Sequence, residues 1–224
     1  MQASAGDVLP AGLGSNRLRA AAAGGDPAAQ YEIALRFAEG RGIPQNLPAA
    51  AQWFERAAKQ GLPQAEFRLG AIYERGIGIK KDRGSAQRFY LAAAEAGNAR
   101  AMHNLGVLYA EGVDGKPDYS NAGVWFRKAA EYGIADSQYN LGVLHALGMG
   151  VAADLGEAYK WFALAARTND KDAVKKRDEI GARLDQSSLA AARATVAGWS
   201  PKVEPEAATT VKAPPGGWDD KAVR

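Results

Sequence analysis

His103 and His145 are the only imidazoles in a chain of 224 residues that contains no cysteine. Neither stands in a His-x-x-x-His or similar ligand spacing, so a metal site is not expected. The missing cysteines remove disulfides, thiolate ligands and a cysteine nucleophile together, and leave the compartment open. No Gly-x-Ser-x-Gly elbow is present, which leaves a serine hydrolase without support. Gly76-Ile77-Gly78-Ile79 follows a helical stretch and lacks a Gly-Lys-Ser/Thr ending, so it reads as a turn and not as a phosphate cradle. The carboxylates are scattered and make no acid/base pair. The chemistry spelled by these residues is not catalysis, and no cofactor is expected.

A different chemistry is written in three rows whose members recur 36 residues apart. One row is Tyr31, Phe67, His103 and Tyr139. Its neighbour is Glu32, Arg68, Asn104 and Asn140. The third is Leu35, Ala71, Val107 and Val143. Rings supply contact area, and Arg or Asn side chains bond to the backbone or carboxylates of an extended peptide. The candidate partner-binding residues are therefore Tyr31, Phe67, Arg68, His103, Asn104, Tyr139 and Asn140. The same ring row could equally brace neighbouring repeats. His145 shares a row with Phe37, Tyr73 and Tyr109, which makes it a packed substitute for an aromatic.

The elements that position these rows repeat with the same period. Gly40, Gly76, Gly112 and Gly148 are in phase, as are Trp53-Phe54, Phe89-Tyr90, Trp125-Phe126 and Trp161-Phe162. So are Ala57-Ala58, Ala93-Ala94, Ala129-Ala130 and Ala165-Ala166. A fixed period in this range means stacked copies of one supersecondary unit. Apolar offsets such as Ala65, Leu69 and Tyr73 trace one face of a first helix. Glycine closes it, and Asn46, Asp82, Asp118 or Asp154 caps the second. The third loop, Val113-Asp114-Gly115-Lys116-Pro117, departs from its equivalents. Bulk at Ala94 or Ala130 is expected to overpack the joint, by roughly 1–3 kcal/mol.

The expected fold is all-α: a right-handed α/α superhelical solenoid of four 36-residue hairpins with terminal caps. Residues 1–14 read as a flexible leader without the features of a signal peptide. The solenoid covers 15–200, with an N-terminal half-repeat at 15–27, repeats at 28–63, 64–99, 100–135 and 136–171, and a C-terminal cap at 172–200. Ser187 or Ser188 is expected to cap the last helix. Residues 201–224, with Pro201, Pro205, Pro214, Pro215 and Gly216-Gly217, read as a disordered tail. The chain carries 28 basic and 25 acidic side chains, a net charge of +3, too balanced to indicate nucleic acid. No run of 18 apolar residues is present, so no membrane span is expected in this chain.

The pattern Ala-x-x-x-Leu-Gly-x-x-Tyr, then Gly-x-Gly-x-x-x-Asp, then Ala-x-x-Trp-Phe-x-x-Ala-Ala resembles the Sel1-like repeat, a relative of the tetratricopeptide repeat. Ala65, Leu69-Gly70, Tyr73, Gly76, Gly78, Asp82, Ala86, Phe89-Tyr90 and Ala93-Ala94 carry it in the second copy. The resemblance implies a non-enzymatic scaffold that binds proteins through a concave groove. Cysteine-rich relatives described as β-lactamase-like depend on disulfides that are missing here. Asp26-Pro27 to Gly42, Lys116 to Tyr119, Ala135 to Asn140 and Gly216-Gly217-Trp218 further resemble the C-terminal repeat region of polar localization factors of the PodJ type. That resemblance implies a periplasmic location within a larger membrane-anchored bacterial protein, and cell-envelope partners. The alternatives are a peptidoglycan-binding module, a sensor of a membrane kinase's outer domain, and a cytoplasmic location.

Overall fold

A computed structural model describes residues 9–219. The leader up to residue 8 and the last residues from 220 lie outside the described residues. The helices are α1 Asn16–Ala23, α2 Pro27–Glu39, α3 Leu47–Ala58, α4 Pro63–Arg75, α5 Arg83–Glu95 and α6 Ala99–Glu111. They continue with α7 Tyr119–Glu131, α8 Ala135–Leu147, α9 Leu155–Ala165, α10 Lys171–Gly181, α11 Gln186–Ala197 and the short α12 Glu206–Thr209. No strand occurs among the described residues. Consecutive helices pack in pairs, the pattern of an α solenoid. None of the described helices is long and apolar enough to cross a membrane.

The chain divides into two compact units. Unit 1 holds the residues up to Asn98 and those from Pro205 onward, and unit 2 holds Ala99–Glu204. In unit 1, α2 packs on α3 and α4 on α5, with α1 against α2 and α12 against α4. In unit 2, α6 packs on α7 and α8 on α9, and both α10 and α11 pack on α9.

Each hairpin is built the same way. Asp26, Asn46, Asp82, Asp118 and Asp154 accept a hydrogen bond from the amide three residues on, at 2.8–3.1 Å. Gly40, Gly76 and Gly148 end the first helix in the left-handed conformation, at φ 70, 72 and 68°. A residue with a Cβ would be strained there. The loop then closes on one bond common to all four copies. The amides of Asn46, Asp82, Asp118 and Asp154 donate to the carbonyls of Phe37, Tyr73, Tyr109 and His145 at 2.8–3.0 Å. The divergent third loop reaches that closure through its own turn, in which Lys116 N donates to Asp114 Oδ1 at 3.3 Å.

Within each hairpin the rings meet small residues. A Cβ on Gly70 would come 2.6 Å from the Tyr90 ring. On Gly106 it would come 2.6 Å from Phe126, and on Gly142 3.0 Å from Phe162. Glycine at this step lets the two helices close over a full aromatic ring.

Three expectations are corrected. Asp185, not Ser187 or Ser188, caps α11: its carboxylate accepts from Ser188 N at 2.8 Å, and both serine hydroxyls donate to it as well. A carboxylate that can accept all three donors displaces the hydroxyls from the capping role. The leader is seated from Leu9 onward: Leu13 is fully buried in the unit 1 core, and its carbonyl accepts from Arg36 Nη1 at 3.1 Å. Residues 201–219 are likewise not a disordered tail. Lys202 N donates to Glu131 O at 2.8 Å, and Glu204 accepts from Ala99 N at 3.0 Å, both inside unit 2. From Pro205 the chain lies on unit 1, where Ala208 is fully buried and Trp218 packs on the core. Asp219 pairs with Arg36 and accepts from Ser15 N. The Ala208 methyl, one indole and satisfied main-chain groups hold a segment whose composition alone suggests disorder.

Candidate functional site

The ring row is placed the same way in every repeat. Tyr31 lies 5.4 Å from Phe54 and Phe67 6.0 Å from Tyr90, in unit 1. His103 lies 5.9 Å from Phe126 and Tyr139 5.4 Å from Phe162, in unit 2. Each ring therefore braces the second helix of its own hairpin, edge-on or tilted as aromatic quadrupoles prefer. All four residues remain half-buried.

The polar row is less uniform. Glu32 bonds to Arg36 at 2.8 Å and to Arg41 at 3.1 Å. Arg68 is exposed, whereas Asn104 and Asn140 are half-buried. Unit 2 gathers His103, Tyr139 and Asn140 into the lining of one cavity of about 380 Å³, and Asn104 is not part of it. His103 Nδ1 lies 2.8 Å from Ser137 Oγ.

His145 is buried, in keeping with its phase, and its ring is fully engaged. Nδ1 lies 3.2 Å from the Ala152 carbonyl, and Arg127 Nη2 donates to Nε2 at 2.8 Å. Arg127 can only donate, so Nε2 accepts from it and Nδ1 faces the carbonyl. Arg127 also reaches Glu157 at 3.5 Å, and Glu157 accepts from Lys160 Nζ at 2.8 Å and Trp161 Nε1 at 2.9 Å. Burial alone would raise the Glu157 carboxyl; Lys160, Trp161 and Arg127 outweigh it and hold it below the usual carboxylate range. A saturated imidazole beside a saturated carboxylate braces α7, α8 and α9. Among the described residues no group of three His, Asp or Glu side chains could hold a metal ion.

Other residues sit at the rim, one step from the rows read in the sequence. In unit 1, Gln64 Nε2 donates to the Ala207 carbonyl and Asn98 Nδ2 to the Ala208 carbonyl, each at 2.9 Å. Pro205 covers Gly97, where a Cβ would come 2.8 Å from Pro205 Cγ. In unit 2, Asp136, Thr168, Asp170 and Asp172 line the cavity. Asp136 is 72 residues from Gln64, and Asp170 is 72 residues from Asn98. The period that revealed the rows also connects these rim positions, but their residue types change from copy to copy.

The Sel1 repeat family matches at residues 27–62, 63–98, 99–133 and 135–170. Among solved structures, a Sel1 repeat protein from Oxalobacter formigenes is similar at 36% identity and a TM-score of 0.65. That match covers 73% of this chain and 47% of the other. The protein c5321, a protective antigen present in uropathogenic Escherichia coli strains and displaying an SLR fold, is similar at 26% identity and a TM-score of 0.69. It is matched over 85% of this chain and 46% of its own. The chain thus spans about half the length of these two solved structures. No curated protein matches it. Sel1 repeats are typically non-catalytic interaction scaffolds that engage other proteins. Four matched copies spanning most of residues 27–170 establish that the chain belongs to the Sel1 repeat family.

Proposed function

We propose that this chain is a non-enzymatic scaffold that receives peptide segments of partner proteins on the first-helix face of its repeats. Tyr31, Phe67 and Arg68 serve in unit 1, and His103, Asn104, Tyr139 and Asn140 in unit 2. The observation that carries this reading is the phased row of rings. Each spends one edge on its own hairpin and remains half-buried, beside a cavity of about 380 Å³ in unit 2. Rigid aromatic anchors beside hydrogen-bonding amides are what a peptide groove requires.

The proposed setting is the bacterial periplasm, as part of a larger membrane-anchored protein that recruits partners to a cell pole. The support is the resemblance of Asp26 to Gly42, Lys116 to Tyr119 and Ala135 to Asn140 to polar localization factors. The test places a photo-crosslinking amino acid at Asn140 and at Arg68 in the full chain, in a bacterial envelope preparation. Protein adducts formed at these positions, and not at the exposed Lys59 at the C-cap of α3, are the expected result. Sedimentation with bare sacculi that is lost in Tyr139→Ala, with no protein adduct, would replace this reading with glycan binding.

A further inference from the structure

The two units offer the same seat, and in one of them it is filled. In unit 1 the seat lies at the start of α4 and in the turn that follows α5, and the segment Pro205–Ala208 occupies it. Its Ala208 methyl is fully buried. Two amide side chains, Gln64 and Asn98, grip the carbonyls of Ala207 and Ala208. Proline on glycine recurs within unit 2, where a Cβ on Gly133 would come 3.2 Å from Pro201 Cβ. Gly133 is in phase with Gly97. The next position in that phase is Asn169, which holds the same left-handed conformation at φ 62°. It stands between Thr168 and Asp170 of the unit 2 cavity.

The cavity therefore occupies the phase of a seat that in unit 1 holds the N-cap and first turn of the short helix α12, with one chemical change. Asp136 replaces Gln64 and Asp170 replaces Asn98. The amides donate to carbonyls, whereas ionised carboxylates only accept. Asp172 adds a third carboxylate, and no Lys or Arg lines the cavity. Asp170 Oδ1 is engaged by Ala173 N at 2.8 Å as the cap of α10, so Asp136 and Asp172 lead. Tyr139, Val107, Ala165 and Ala173 supply apolar wall for an aliphatic stem, and the Tyr139 ring faces a cation well.

We propose that the cavity of unit 2 binds a peptide segment of a partner protein through a Lys or Arg side chain, in the seat that Pro205–Ala208 fills in unit 1. The inference rests on the scaffold reading above and adds the chemistry of the occupant. The test selects a random dodecapeptide phage library on the full chain. It repeats the selection on Asp136→Asn/Asp172→Asn and on Asp136→Gln/Asp170→Asn. Asparagine caps helices as well as aspartate, so α10 is retained, and circular dichroism checks each fold.

The expected result is enrichment of Lys or Arg sequences whose affinity falls about tenfold in Asp136→Asn/Asp172→Asn, from the loss of two rim charges. Affinity also falls with added salt. The Asp136→Gln/Asp170→Asn variant, which recreates the amide pair, should lose the basic preference. It should also gain binding to a synthetic peptide of residues 203–210. Enriched sequences without basic residues that are lost in Tyr139→Ala would overturn the inference and leave the scaffold reading standing. The same holds for basic sequences indifferent to all three carboxylates. No enrichment on the wild-type chain would overturn both.

Discussion

Repeats two and four carry the same frame and opposite rims. In repeat two, Tyr90 packs over Gly70 and Phe67 tilts against it at 6.0 Å. In repeat four, Phe162 packs over Gly142 and Tyr139 stands edge-on to it at 5.4 Å. At the rim, Gln64 and Asn98 donate to a segment of the same chain, whereas Asp136 and Asp170 border an open cavity. The repeat thus separates two tasks. Periodic apolar positions fix the backbone, and the positions beside them are free to change sign and hydrogen-bond direction without disturbing it.

If the frames are equivalent, emptying them must cost the same. Tyr90→Ala and Phe162→Ala should each destabilise the chain by about 3–5 kcal/mol, measured by urea unfolding. A gap between them well beyond about 1 kcal/mol would break the comparison. The rims, in contrast, should respond differently. Ala208→Asp places a carboxylate at a fully buried methyl and should release the segment from unit 1. The cost is limited to that segment's grip, about 2 kcal/mol, and is read as accelerated proteolysis at residues 203–215. Asn98→Ala should cost about 1–2 kcal/mol, because the Ala208 carbonyl loses its donor.

Glu66 sharpens the comparison further. Gln30 and Gln138 occupy its phase in repeats one and four, and each donates to a carbonyl of the preceding helix, Ala22 at 3.2 Å and Ala130 at 3.1 Å. Glu66 is buried at the same step, and burial, with Glu95 adding to it, pushes its carboxyl up. The folded chain therefore holds this proton more tightly than the unfolded chain. Stability from this position is full below the ordinary carboxylate value and is lost as pH rises through the raised folded value. Glu66→Gln should remove that decline and stabilise the chain at neutral pH by about 1 kcal/mol.

The smallest effect is at Asp219. The Arg36 guanidinium holds its carboxyl below the usual range. Its contribution is present above the unfolded value and lost as pH falls through the folded one. Asp219→Asn should cost only a few tenths of a kcal/mol, since the carboxylate is half exposed, and should flatten the acid limb of the stability curve.

The hairpins were legible because apolar and glycine positions obey a geometric period, which a single sequence displays four times over. Tyr31, Phe67, His103 and Tyr139 were found for that reason, and the ring contacts show that each braces its own hairpin and not a neighbouring repeat. The rim was not legible in the same way. Gln64, Asn98, Asp136 and Asp170 share a phase but not a residue type, so no row announces them. The segment from 201 to 219 was misread because its hold depends on main-chain carbonyls, the Ala208 methyl and Trp218, none of which has a compositional signature. Asp185 was passed over for the serines beside it, although a carboxylate is the stronger acceptor for three converging donors.

The occupied seat in unit 1 is the template for everything said of the open one. Amide hydrogen exchange of the full chain tests it most directly, at Ala208 and Thr210, whose N–H groups bond to Pro205 O at 2.9 Å and Glu206 O at 2.8 Å. The account predicts that both exchange far more slowly than free peptide, and that Asn98→Ala and Ala208→Asp abolish the protection. Exchange at the free-peptide rate in the unaltered chain would contradict it.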